Sequence, residues 1–244
     1  SELVDLIDDL GGEAVEFPVI KLQPPSRPEA QQALDEALDE LDTYDWILLT
    51  SVNGVEFFFN RLRERKIDVR RMGNARIAAV GPRTAEALAE RGIIADVLPS
   101  KYQGEGMLEA IQADLIAGQK VLLPTADLAR DYLPAKMREL GLQVAEVDVY
   151  ENVLTADDGD EIIHLLQNHS IHIITFTSSS TVTNLIEALK QLGIEEPLSL
   201  LQGVEIACIG PKTAETVRQY GLPITYMAEE ATIASLVQSM IQPK

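Results

Sequence analysis

The segment IAAVGPRTAEAL at positions 77–88 returns as IACIGPKTAETV at 206–217, an offset of 129 residues. Upstream of each copy a Thr-Ser pair recurs. Thr50-Ser51 matches Thr177-Ser178 at an offset of 127, with Val55 falling on Val182 and Leu62 on Leu189. A chain of 244 residues that carries one unit twice is expected to form two similar domains rather than one large sheet.

What each unit contains follows from the hydrophobic pattern. Short apolar runs at 46–49, 76–80, 120–123, 171–176 and 205–209 alternate with amphipathic stretches such as 84–91, 107–116 and 128–140. The runs are continuously apolar, as strands buried on both faces should be. Several helical stretches stop at glycine, at Gly92, Gly118, Gly141 and Gly221. Strand and helix in alternation predict an α/β fold with parallel sheets. The first copy, 28–147, holds five predicted strands at 46–50, 76–80, 94–98, 120–124 and 143–147. The second has strands near 171–177, 205–209 and 223–227. It needs the N-terminal helix at 2–10 and a strand at 14–18 to complete it. One domain is therefore expected to be discontinuous, 1–20 with 153–244, and the other, 28–147, to be inserted into it. The two crossings lie at 18–27 and 148–155. Pro18, Pro24, Pro25 and Pro28 make the first an extended segment. A double crossing beside a cleft implies a hinge.

Composition narrows the function classes. Hydrophobic residues are 46% and charged residues 24%, proportions of a packed globular chain. No uncharged apolar run reaches the ~20 residues of a membrane-spanning helix. With 39 acidic against 20 basic residues and a net charge of −19, a broad basic face for duplex DNA is excluded. The single cysteine, Cys208, offers neither an internal disulfide nor a thiolate metal site, and a reducing, cytoplasmic setting is expected. The chain opens at Ser1 inside an amphipathic pattern without a methionine, so residues upstream are expected.

Ligands of open α/β sheets bind beyond the carboxyl ends of the strands, and four turns fall there as matched pairs. Thr50, Ser51, Asn53 and Gly54 follow one strand; Thr177, Ser178 and Ser179 follow its counterpart. Gly81-Pro82-Arg83-Thr84 follows another strand, matched by Gly210-Pro211-Lys212-Thr213. Glycine lets a ligand approach the backbone, proline suits the first helical position, and free N–H groups with the helix dipole favour anions. Plain helix capping by Ser, Thr and Asn is the alternative reading of the same turns.

Other signatures are missing. There is no G-x-G-x-x-G after a strand, no G-x-x-x-x-G-K-[ST] and no G-x-S-x-G elbow, which argues against dehydrogenase, P-loop and α/β-hydrolase chemistry. His164, His169 and His172 fall on a helix, a loop and a strand without a metal-ligand spacing. Asp157 to Glu161 reads as acidic capping of a helix at 161–167, and Phe57-Phe58-Phe59 as packing of a helix onto its sheet. Tyr150 ends the second crossing, where its hydroxyl could face the cleft or be structural.

These segments resemble the uroporphyrinogen-III synthase family over nearly the whole chain. The residues that carry the likeness are TSVNGVEFF at 50–58, IAAVGPRTAEAL, LLPTADLARDYL at 122–133, VDVYENV at 147–153, TFTSSSTV at 175–182 and IACIGPKTAETV. The resemblance implies two flavodoxin-like domains joined by a two-stranded linker. It also implies cofactor-free and metal-free closure of hydroxymethylbilane to uroporphyrinogen III, with inversion of ring D and loss of water, in the cleft. Tyr150 matches the family's linker tyrosine, which would assist departure of the substrate hydroxyl; Ser178, Thr213 and Thr84 match hydroxyl positions that line the cleft. The sequence departs from the family in lacking a first strand that ends in Thr-Arg, and in having Thr125-Ala126 where an arginine often follows Pro124. The substrate carries eight carboxylates while the chain is acidic, so local donors must bind it: helix N–H groups, hydroxyls and cations such as Arg83, Lys101, Arg130 and Lys212. The implied partners are this substrate and the deaminase that hands it over, with no nucleic acid, no membrane and a monomeric chain. A non-catalytic two-lobed binding or regulatory module of the same fold is the alternative.

Overall fold

The computed structural model describes residues 1–126, 132–157 and 159–241. In chain order the elements are α1 (Glu2–Asp9), β1 (Ile20–Gln23), α2 (Pro28–Asp39), β2 (Trp46–Leu49), α3 (Val52–Glu64), β3 (Arg76–Ala79), α4 (Pro82–Ala89) and α5 (Gly104–Ile111). There follow β4 (Lys120–Ala126), α6 (Tyr132–Glu139), β5 (Gln143–Leu154), α7 (Gly159–Gln167), β6 (Ile173–Phe176), α8 (Ser179–Gln191) and α9 (Pro197–Leu200). β7 (Glu205–Cys208), α10 (Pro211–Gln219), β8 (Tyr226–Met227) and α11 (Ile233–Ile241) end the described chain. Two compact units form, residues 22–152 and residues 1–21 with 153–244. The fold is α/β with parallel sheets. None of the described helices is long and apolar enough to cross a membrane.

In the unit 22–152 the sheet order is β1-β5-β4-β2-β3. The pairs β2–β3, β2–β4 and β4–β5 are parallel. A parallel neighbour requires a crossover, and helices cover both faces. The strand β2 shows why its sequence does not alternate. Ile47 and Leu49 enter one core with Phe58 and Leu62 of α3 and Leu88 of α4. Trp46 and Leu48 enter the other with Met107 and Ile111 of α5 and Met137 of α6. All four β2 side chains are essentially inaccessible, each contributing about 1.5–3 kcal/mol of hydrophobic stabilisation. The chain reverses strand order between β2 and β4, the switch point at which doubly wound folds bind ligands.

The other unit holds β6-β7-β8, again parallel. Ile206 and Cys208 of β7 face a core built with Phe176, Val182, Leu189 and Val217, whereas Ala207 faces Leu236 of α11. The helix α1 packs against α11.

The sequence repeat is a repeat of hydrogen bonds. Ala78 bridges Val97 in parallel, and Ala207 pairs with Tyr226 at the same offset of 129. The Ile77 N–H donates to the Asp96 carboxylate (2.7 Å), and the Ile206 N–H to the Thr225 hydroxyl (3.3 Å). Gly92 and Gly221, which close α4 and α10, both adopt the left-handed conformation, φ 77° and 73°.

Two expected strands do not form. At 94–98 a single bridge through Val97 is made, the Asp96 side chain takes the N–H that a ladder would have used, and Ile94 is 79% exposed. At 14–18 the backbone pairs with no strand among the described residues; Pro18 has no donor to give, and Phe17 instead packs against the core that the following Val19 enters. β5 extends well past the expected 143–147, and His172 precedes β6 rather than lying in it.

One close approach is decisive for stability. A Cβ on Gly106, in α5, would lie 2.2 Å from the Lys101 carbonyl oxygen. Backbone cannot retreat as a flexible side chain can, so Gly106→Ala is expected to destabilise the protein by about 1–3 kcal/mol despite the better helix propensity of alanine. Thermal unfolding should show the midpoint falling by about 2–4 °C per kcal/mol; an unchanged or raised midpoint would refute the assignment.

Candidate active site

The four expected turns all stand at carboxyl ends of strands, and their hydrogen bonds divide them into two kinds. Ser51 is the N-cap of α3, its Oγ accepting from the Gly54 N–H at 2.9 Å. Ser178 caps α8 in the same way, accepting from the Thr181 N–H at 3.2 Å, with Ser180 Oγ and Thr181 Oγ1 at 2.9 and 2.7 Å. For these two serines the capping reading holds. Thr50 and Thr177 beside them are exposed, and Asn53 is half-buried. A Cβ on Gly54 would lie 3.1 Å from the Ser51 Oγ and 3.8 Å from the Pro124 carbonyl, which places this turn against the end of β4.

The glycine turns are open. Gly81 and Gly210 are the N-caps of α4 and α10, with Pro82 and Pro211 next, and no side chain caps either helix. The N–H groups of Arg83 and Thr84, and of Lys212 and Thr213, are the first-turn donors that a helix cannot satisfy internally. Thr84 and Thr213 are only 5% and 4% exposed, and among the described residues neither hydroxyl is bonded to protein. No buried side-chain polar atom among those residues lacks a partner, so both hydroxyls keep contact with solvent. Ser179 Oγ donates to the Lys212 carbonyl at 3.2 Å, which joins the serine turn and the glycine turn of that unit.

Charge placement agrees with the open turns. Arg83 and Lys212 are exposed and form no ion pair among the described residues, in a protein where most cations do. A cation in the first turn of a helix opposes the helix dipole, and both copies place one there. Lys101, by contrast, pairs with Glu109 at 3.2 Å. Arg130 lies outside the described residues.

Tyr150 sits in β5 opposite Ala126, where the pairing shifts past Thr125 at the end of β4. Its ring stacks on Phe57 (centroids 5.3 Å apart, 28° between planes) and is 9% exposed in the core of its unit. By the reasoning used for the threonines, its hydroxyl has no protein partner among the described residues and reaches solvent. The packing holds the ring in place and leaves its hydroxyl without a bond to any described residue.

Glu151 is a site neighbour that sequence reasoning misses. It is a carboxylate only 7% exposed, hydrogen-bonded by the Gln23 side chain at 2.8 Å. Bonds from Ser26 and Gln23 hold its carboxyl below the usual range. Only its place next to Tyr150 could have marked it. Cys208 is fully buried and burial pushes its thiol up, so no thiolate nucleophile is offered. Asp160 and Glu161 occupy the first turn of α7, as expected of acidic capping; Asp158 lies outside the described residues.

Comparison with known proteins now bears on this arrangement. A family model described as "Uroporphyrinogen-III synthase HemD" matches residues 1–238. The chain belongs to the uroporphyrinogen-III synthase family. It is 33% identical over 240 residues to the porphyrin biosynthesis protein HemD of Ruminiclostridium josui, a match that covers 98% of this chain and 45% of that protein. The chain thus spans about half the length of that relative. It is 31% identical over 234 residues to the uroporphyrinogen-III synthase of Synechococcus elongatus, covering 95% of this chain and 86% of that one. Its fold is similar to the crystal structure of the uroporphyrinogen-III synthetase of Helicobacter pylori 26695, with a TM-score of 0.56 at 18% identity, over 93% and 91% of the two chains. Both copies of the repeat, Tyr150 and all four turns lie within the stretch that the family model matches.

Two outcomes test this electrostatic picture. Because the folded carboxyl of Glu151 titrates below its ordinary value of 4.5, its contribution is present above that pH and is lost as pH falls below it. Glu151→Gln should therefore lower stability near neutral pH and flatten the acid side of a urea-midpoint profile taken between about pH 3 and pH 7. An unchanged profile would remove the carboxylate from the account. Arg83→Gln and Lys212→Gln should each raise stability by about 0.3–1 kcal/mol at low salt, an effect that fades with added salt. A loss of stability would mean that these cations have protein partners.

Proposed function

We propose that this chain closes the linear tetrapyrrole hydroxymethylbilane to uroporphyrinogen III, with inversion of ring D and release of water. The observation that carries the reading is the family match over residues 1–238. The open glycine turns, and cations there that form no ion pair among the described residues, support it chemically, since the substrate is a polycarboxylate and the protein is strongly acidic. With the overall field repelling the ligand, affinity must come from close donors. In this reading the N–H groups of Arg83, Thr84, Lys212 and Thr213, with the two cations and the threonine hydroxyls, take carboxylates on each unit. Thr50, Ser51, Asn53, Gly54, Thr177, Ser178 and Ser179 shape the adjoining turns.

The chemistry itself asks little of acid or base. Loss of the hydroxyl from the terminal hydroxymethyl group leaves a cation delocalised into its pyrrole, so much of the electronic stabilisation lies in the substrate. Tyr150 delivers its proton to the departing hydroxyl, which leaves as water. The substituted carbon of ring D then attacks; the resulting spiro centre opens at its older bond and recloses with the ring inverted, and the proton this ring loses restores the Tyr150 hydroxyl. What remains for the protein is to hold the chain so that this carbon, not the unsubstituted alternative, is within reach. We further propose that the protein acts as a monomer and accepts its substrate from the deaminase that makes it.

Freshly generated hydroxymethylbilane, supplied to the protein and resolved into type I and type III product, tests the function directly. Type III is expected, because uncatalysed closure gives type I; type I alone would leave a binding module without the chemistry. Tyr150→Phe should lower kcat on the order of 10–100-fold with the unfolding midpoint nearly unchanged. Undiminished turnover would remove the hydroxyl from the mechanism.

A further inference from the structure

The protein has twelve aromatic side chains, and ten of them are buried or half-buried. The two exposed ones are Tyr102 and Tyr132, at 58% and 39%. Both belong to the unit 22–152, and both stand at the carboxyl end of its sheet. The placement of Tyr102 follows from the parallel bridge between Ala78 and Val97. Past that pair both segments continue in the same direction, so Tyr102 arrives beside the turn after β3. A Cβ on Gly81 would lie 3.9 Å from the Tyr102 Cβ. Tyr132 opens α6, after β4, and a Cβ on Gly104 would lie 3.6 Å from its Cδ1. The two rings thus flank the start of α5, next to the open turn of Gly81.

Neither ring stacks on another aromatic side chain, unlike Tyr150 on Phe57 or Phe58 on Phe59. Single exposed apolar residues are ordinary on a protein surface. Two exposed tyrosines at one end of one sheet, with every other aromatic ring withdrawn, are a different pattern. Tyrosine offers a flat apolar face at low conformational cost, and its π-face attracts cations as well as neutral rings.

We propose that Tyr102 and Tyr132 are positioning residues that stack on pyrrole rings of the substrate, beside the Gly81 turn that holds its carboxylates. This rests on the reading given under Proposed function and adds to it a role for the ring faces, which the donor turns leave unmatched. The face of a tyrosine also favours the delocalised cation over the neutral bilane, so the stack acts on turnover as well as on binding.

The test combines the isomer assay with calorimetric binding of an unreactive bilane, in which methyl replaces the hydroxymethyl group. Tyr102→Ala and Tyr132→Ala should each weaken binding of this probe about fivefold to tenfold and reduce kcat/KM by at least as much. Tyr102→Phe and Tyr132→Phe should recover most of the loss, which separates a stacked ring from a hydroxyl donor. A larger fall in kcat/KM than in affinity would mark stabilisation of the cation. If the wild-type protein makes type III product and the alanine variants bind and turn over as it does, the stacking proposal is overturned and the functional reading stands. If the wild type binds the probe but makes only type I, the functional reading fails and the variants' affinities alone decide the stack. A wild type that neither binds the probe nor makes type III product overturns both.

Discussion

Parallel pairing governs everything else in this protein. Once β2 lies parallel to β3 and β4, and β6 to β7, each connection between them must cross back over its sheet, and within each unit these strands deliver their carboxyl ends to one edge of the sheet. The helices that follow begin there, so their unsatisfied N–H groups collect along that edge without any residue being selected for the purpose. Selection acts on what is done with those donors. Serine at 51 and 178 satisfies them from within the chain; glycine at 81 and 210 leaves them open. The contrast between a closed and an open helix start, made twice in matching order, is the basis of the candidate site.

The fold was legible wherever burial is complete. The continuous apolar runs at 46–49 and 206–208 sit between two helical layers, and an apolar residue at each position has no other explanation. Legibility failed at sheet edges. Residues 94–98 have strand composition, yet this edge segment makes only the Val97 bridge, with the Asp96 side chain on the Ile77 N–H. The counterpart segment, with Thr225 in the same role, pairs for two residues as β8. At 14–18 no partner strand exists among the described residues, a tertiary fact that composition does not encode.

The site was half legible for a related reason. Glycine, proline, serine and threonine in the turns announce helix starts, and the residues expected there stand where they were expected. Their division into capped and open starts depends on which oxygen meets which N–H, and that needs coordinates. Arg83 and Lys212 could be named as cations from sequence, but not as cations without a carboxylate partner among the described residues. Glu151, Tyr102 and Tyr132 carry no pattern at all: a buried carboxylate and an exposed ring are each recognised by being out of place.

The unit 22–152 is contiguous, whereas the other is assembled from the first 21 residues and everything after 152. This sets an order of events during synthesis. The contiguous unit has all its residues once Asn152 has emerged, while the first helix must wait for α11, its packing partner at the far end of the chain. Closing so long a loop from a random chain would cost conformational entropy that grows with its length. Here the loop is a folded body whose own two ends are fastened, Gln23 to Glu151, before the closing partners arrive. The long-range contact between the termini therefore becomes a local one, and a nascent chain stalled before β7 would carry one finished unit and an unpaired first helix.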